Sequence, residues 1–244
     1  EHTMYKSYPI SLLGNRRFDM LTGWLNKLTS VDLSKVDVKG CDSIDGWLDA
    51  VFDQSGLDVM TSSGSTGTMS FLPRTAQDYA KGLRSNRVTE LQTFGQAPTD
   101  TALNGVFHVI WPNYADGHVS SFRSGQYQKA AMAGGREDHF HPLYHEKGSS
   151  DLMWLAAQMR AAAARGDASR IEAPPSLLAR RDELAKQQAG MRGRQLSFIG
   201  EVAEQLKGQL VYCIGPTYPL WQVAQRGKDK GGSREFAPGS FIRT

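Results

Sequence analysis

The sequence predicts an α/β protein with a largely parallel sheet flanked by helices. Three observations carry that expectation. Short runs of β-formers alternate with longer amphipathic runs along the chain. The run Val106 to Trp111 is dense in β-formers and meets Pro112, which predicts a buried strand. The run Leu210 to Ile214 repeats the pattern and meets Gly215-Pro216.

The elements follow in order. Phe18, Leu21, Leu25 and Leu28 recur at helical spacing and predict an amphipathic helix over about 15–29. Asp42 or Ser43 can cap a second helix that carries Ile44, Trp47, Leu48 and Val51 on one face. Residues 57–61 form a predicted short strand, which enters a turn rich in glycine and hydroxyl groups, and Phe71-Leu72 resume a strand. Thr75 and Asp78 approximate a capping box for a helix reaching Gly95. Residues 113–148 show no clear period and are expected to be irregular, with Pro142 interrupting regular structure. Helices are expected at about 150–165, 176–189 and 194–207, then one ending near Arg226, and a last strand at 240–243. The expected organisation is a helical segment over 1–56 packed on an α/β ATP-binding core over 57–244, that core being incomplete.

Composition bounds the function. The 244 residues are 40% hydrophobic and 22% charged, ordinary globular usage. A net charge of +3 with no basic stripe argues against a nucleic-acid partner. No apolar run approaches the ~20 residues of a membrane helix, and no secretory signal is visible. Cys41 and Cys213 form no CxxC pair and read as incidental thiols of a reduced, cytoplasmic protein.

One motif has chemical content. Thr61-Ser62-Ser63-Gly64-Ser65-Thr66-Gly67 follows a predicted strand, where ligands of α/β sheets sit. Glycines at 64 and 67 let the backbone turn and present N–H groups unobstructed. Successive N–H groups make a concavity for anions, and the hydroxyls add rotatable donors. The spacing is neither GxxxxGK[ST] nor GxGxxG. On composition alone the same stretch also reads as a plain connecting loop.

The motif resembles the TSGSTG signature of the adenylate-forming superfamily of acyl-CoA ligases, peptide-synthetase adenylation domains and luciferases. Most members follow it with Pro-Lys. Here Met69-Ser70 occupy that place, which is more similar to the branch of phenylacetate-CoA ligases and the acyl-protein synthetases of bacterial luminescence. Gly215-Pro216 and Pro238 to Thr244 resemble later features of that branch. The resemblance implies an enzyme, a ligase or synthetase, that activates a carboxylic acid with ATP and Mg²⁺ to an acyl-adenylate. The acyl group then passes to a thiol or other acceptor: coenzyme A, a carrier protein or a partner protein's cysteine. It implies phosphate contacts from Ser62, Ser63, Gly64, Ser65, Thr66, Gly67 and Ser70, with Ser65 and Thr66 as side-chain donors. The family's aromatic-Gly-x-Thr-Glu segment, its Thr-Gly-Asp segment and its small C-terminal domain are absent, so the chain is expected to be part of a longer enzyme. The alternative is an α/β domain that binds a nucleotide or phosphate without turnover.

His139, His141 and His145, with Glu137 or Asp138, suggest a metal site by spacing, and His139 and His141 suggest a substrate-pocket wall. Packing or loop histidines are the plain alternative. Asn113 to His118 reads as a turn around Asp116-Gly117.

Overall fold

The computed structural model describes residues 3–62, 64, 68–93, 106–166, 171, 173–229 and 235–243. The chain divides into two compact units, neither of them continuous. Unit 1 comprises Glu1–Asp78, Gly117–Ser120 and Gly148–Gln188; unit 2 comprises Tyr79–Asp116, Ser121–Lys147 and Ala189–Thr244.

In unit 1, helices α1 (Ile10–Gly14), α2 (Phe18–Leu25) and α3 (Ile44–Ser55) precede the antiparallel hairpin of β1 (Asp58–Thr61) and β2 (Phe71–Arg74). Helices α6 (Ser150–Ala164), α7 (Pro175–Leu178) and α8 (Arg181–Gln188) complete it. The single helix expected over 15–29 is shorter. Arg16 is left-handed (φ 53°) and breaks it from α1. The Arg16 guanidinium pairs with buried Asp151 at 2.6 Å and lies over the rings of Phe18 and Trp154. Past Leu25, the Asn26 side chain accepts the Leu33 amide at 2.7 Å and turns the chain.

The apolar face foreseen for α3 is real, with Ile44, Trp47, Leu48 and Val51 fully buried. Ser43 is its cap and accepts from Gly46 N. Trp47 stacks on Phe18 at 5.3 Å and meets Phe71 edge-on at 5.1 Å, so α2, α3 and the hairpin share one core. Burying each such side chain contributes about 1.5–3 kcal/mol.

In unit 2, β3 (His108–Asp116), β4 (Phe140–Lys147), β5 (Val211–Ile214) and β6 (Phe241–Arg243) form a parallel sheet in the order β4-β3-β5-β6. Helix α4 (Ala76–Thr93) leads in, and α5 (Ser120–Met132), α9 (Met191–Gln205) and α10 (Thr217–Asp229) accompany the strands. Alternate residues feed opposite cores. Val109, Trp111 and Tyr212 pack with Met132 on one face. Ile110, Val211 and Cys213 pack with Leu196, Ile199 and Val202 of α9 on the other. A sheet covered on both faces reads as continuous apolar strands.

Two expectations are corrected here. The strand at 106–111 does not stop at Pro112, and 113–148 is not irregular: it holds the end of β3, the whole of α5, a 3-10 turn at Glu137–His139, and β4. Pro142 lies within β4, which is tolerated because β4 is the edge strand of the sheet. Pro112 is carried by a bulge. Register slips by one residue between Trp111 and Tyr114 and back again between Tyr114 and Asp116. Helix α5 escapes a periodicity search because its buried positions include Gly125 and Gln128.

Candidate functional site

The loop joining β1 to β2 is the candidate site, and its base is tightly stitched. Thr61 pairs with Phe71 as the last rung of the hairpin. Beyond it, Ser62 N donates to Ser70 O at 3.1 Å, and Ser70 N donates to the Ser62 hydroxyl at 2.9 Å. The returning arm is pinned again where the Tyr8 hydroxyl donates to Met69 O at 2.8 Å. Ser62 and Ser70, both foreseen as phosphate contacts, therefore engage their amides within the loop base, one with a carbonyl and one with a hydroxyl.

Gly64 is buried and left-handed (φ 63°), and a Cβ there would sit 3.3 Å from Ala157 Cβ of α6. Glycine is demanded twice over at this position, by backbone and by space. Ser63, Ser65, Thr66 and Gly67 lie outside the described residues. Two hydroxyls at the loop base, Thr61 Oγ1 and Ser70 Oγ, are buried without a hydrogen-bond partner among the described residues. An unpaired buried hydroxyl costs about 1–3 kcal/mol, so a ligand oxygen meeting it recovers that cost.

Sequence reasoning missed a second feature of this region. The Thr61 amide donates to His118 O at 2.7 Å, and Thr61 bridges Val119 in parallel fashion. The His118 imidazole is 2% exposed, and its Nε2 lies 2.9 Å from Asp49 Oδ1 of α3. An imidazole–carboxylate pair thus sits on the segment that flanks the loop-bearing strand. The two residues are 69 positions apart, a separation no local pattern reveals.

His139 and His141 come together with His108, at the amino-terminal ends of β3 and β4. His108 Nδ1 and His141 Nε2 are 3.0 Å apart, and the His108 and His139 rings stack at 3.9 Å and 14°. Nearly parallel stacked rings direct their lone pairs into separate planes, so one ion cannot lie in both. Glu137 is taken by Lys129 and Asp138 by Arg136, and His145 is exposed. Among the described residues no group of three His, Cys, Asp or Glu side chains is placed to hold a metal.

Unit 2 also has a cleft of about 330 Å³ lined by Trp111, Pro112, Asn113, Gln195, Ile214 and Gly215, among others. It lies beside the middle of β3 and the carboxyl end of β5. In the order β4-β3-β5-β6 the chain goes to opposite sides of β3 for β4 and β5, and ligands of open α/β sheets bind at such a reversal. Gln195 Nε2 donates to Pro112 O at 3.0 Å and ties α9 to this edge. Neither cysteine offers a ready nucleophile. Burial pushes the Cys213 thiol up to about 12, and burial with Asp37 and Asp42 raises that of Cys41.

No protein-family model, no curated protein and no solved structure matches this chain. Among the described residues no helix is long and apolar enough to cross a membrane.

Proposed function

We propose that the chain activates a carboxylic acid with ATP, the β1–β2 loop gripping the phosphates. The observation that carries this reading is the loop itself. A TSSGSTG run spans two antiparallel strands whose bases are stitched through Ser62 and Ser70, with a left-handed glycine and two buried hydroxyls that no described residue partners at its root. A rigid base with a glycine- and hydroxyl-rich tip suits a triphosphate, which needs several convergent donors.

In this reading ATP supplies an anhydride: a carboxylate oxygen bonds to the α-phosphorus, the bond to the β-phosphate breaks, and pyrophosphate leaves. The chain's part is positioning and charge stabilisation. Loop amides and the Ser65 and Thr66 hydroxyls hold the departing phosphates. Mg²⁺ would arrive as an ion carried by the triphosphate, keeping several of its waters. The cleft beside the middle of β3 and the carboxyl end of β5 supports a ligand-binding role for unit 2. The acyl acceptor is external, consistent with the unreactive Cys213 thiol.

The test is exchange of labelled pyrophosphate into ATP, driven by a panel of aliphatic and aromatic carboxylates. Exchange that depends on one acid, and falls ~100-fold in Ser65→Ala/Thr66→Ala, supports the reading. ATP-dependent thermal stabilisation without exchange supports a domain that binds nucleotide and turns nothing over. Neither signal, with both substitutions silent, reduces the loop to a connector.

A further inference from the structure

The imidazole cluster of unit 2 has no part in the function proposed above, and its geometry is unusual. His108 opens β3, His141 is the second residue of β4, and His139 ends the 3-10 turn that precedes β4. His108 Nδ1 and His141 Nε2 approach to 3.0 Å, the distance of a hydrogen bond. His139 covers the His108 ring face to face at 3.9 Å, and its Nδ1 is buried without a hydrogen-bond partner. The His108 and His141 rings are themselves only 5.3 Å apart.

The cluster sits at the sheet's edge. Among the described residues β4 pairs with β3 alone. At its start the register runs Val109 with Phe140, Ile110 with His141 and Trp111 with Pro142, and then slips. Pro142 has no amide to donate, which an edge position tolerates. The imidazole contacts add a side-chain tie to the three ladder pairs at the start of the strand.

We propose that His108, His139 and His141 form a proton-operated clasp that ties the start of β4 to β3 at neutral pH and releases it in acid. An N–H···N bond between two imidazoles requires one ring to be neutral, since a protonated imidazole has no lone pair to accept with. With both rings protonated the bond is lost and becomes a repulsion between two cations. A charged His139 stacked on a charged His108 adds to it.

The surrounding charges fit this behaviour. Burial, then the neighbouring imidazoles, hold His108 and His141 below the ordinary histidine value, and Arg136 pushes His108 the same way. Asp138 alone opposes, and it is exposed and paired with Arg136. Glu137 is held by Lys129 of α5. A histidine whose folded value lies below its unfolded one contributes stability that is present above the unfolded value, about 6.5. That contribution is lost as pH falls through the folded value.

The test is backbone hydrogen exchange read by mass spectrometry at pH 7.5 and pH 5.0, corrected for intrinsic exchange. In the wild-type chain, peptides within 139–147 are expected to lose about tenfold protection at the lower pH, while peptides in β5 do not. The double variant His108→Gln/His141→Gln, which keeps hydrogen-bonding groups and cannot titrate, is expected to show equal protection at both pH values. Equal wild-type protection at the two pH values, or an unchanged acid loss in the double variant, overturns the proposal. If that variant does not fold, NMR titration of the wild-type histidines decides. Coupled transitions of His108 and His141 below the ordinary histidine value support the clasp, and independent transitions of these two at that value refute it.

Discussion

Gly64 and Gly125 show how single residues set the site and the sheet. At Gly125 of α5 a Cβ would lie 2.7 Å from Trp111 Nε1 and 3.0 Å from Ala115 O, so helix and bulged strand touch through the missing side chain. Gly125→Ala is expected to cost about 1–3 kcal/mol in urea unfolding, because neither backbone nor the Trp111 indole can retreat freely. That indole is fixed by its own bond to Tyr114 O at 2.8 Å. Ser62→Ala removes the acceptor of the Ser70 amide at the loop base. The expected loss is about 1 kcal/mol of stability with a weaker response to ATP, both measurable by thermal denaturation with and without nucleotide. The motif around Gly64 was legible because its chemistry is local. His118 and Asp49 were not, because only the folded chain brings a turn residue against α3.

At the scale of elements, α3 and α6 cap one another. Asp151 Oδ2 accepts the Ile44 amide at 2.9 Å at the start of α3, and Asp45 Oδ2 accepts the Ser150 amide at 2.8 Å at the start of α6. Each carboxylate meets the positive end of the other helix. Asp151 is buried, and burial raises its carboxyl above the ordinary value while Arg16 pulls it back. The native state therefore binds more protons than the unfolded chain just above the ordinary carboxylate range, and stability from this group falls as pH rises through that window. Asp151→Asn is expected to remove that part of the slope, seen by comparing urea midpoints of the two proteins at pH 4 and pH 6.5. Asp151→Ala leaves Arg16 without its partner in a site where the guanidinium is 17% exposed, and is expected to cost about 3 kcal/mol.

Elements with a strong period or a cap were legible. The α3 face, the Thr75–Asp78 box of α4 and the β-rich runs of β1 and β5 stand where their residues place them, while β3 runs on past Pro112. In the box, Thr75 N donates to Asp78 Oδ2 at 2.8 Å. What escaped were elements whose logic is tertiary. Pro142 is acceptable only because β4 lies at an edge, and Pro112 only because β3 bulges. Helix α5 packs through a glycine and a glutamine, which carry no hydrophobic signal.

The whole molecule is two interleaved units, each with its own core. The chain leaves unit 1 after Asp78, returns for Gly117–Ser120, and returns again for Gly148–Gln188. Such crossings are invisible to a reading that advances along the chain, and they explain why His118 belongs with the loop hairpin while Asp116 belongs with the sheet. The loop and its imidazole–carboxylate neighbour lie in unit 1, and the cleft and histidine clasp lie in unit 2. The central claim concerns the first of these: the β1–β2 loop grips a triphosphate. Calorimetric titration of the wild-type chain and Gly64→Ala with Mg·ATP tests it most directly. The account predicts saturable binding to the wild type, and at least tenfold weaker binding to a variant that still unfolds cooperatively. Equal heats for both proteins, or none for the wild type, would contradict it.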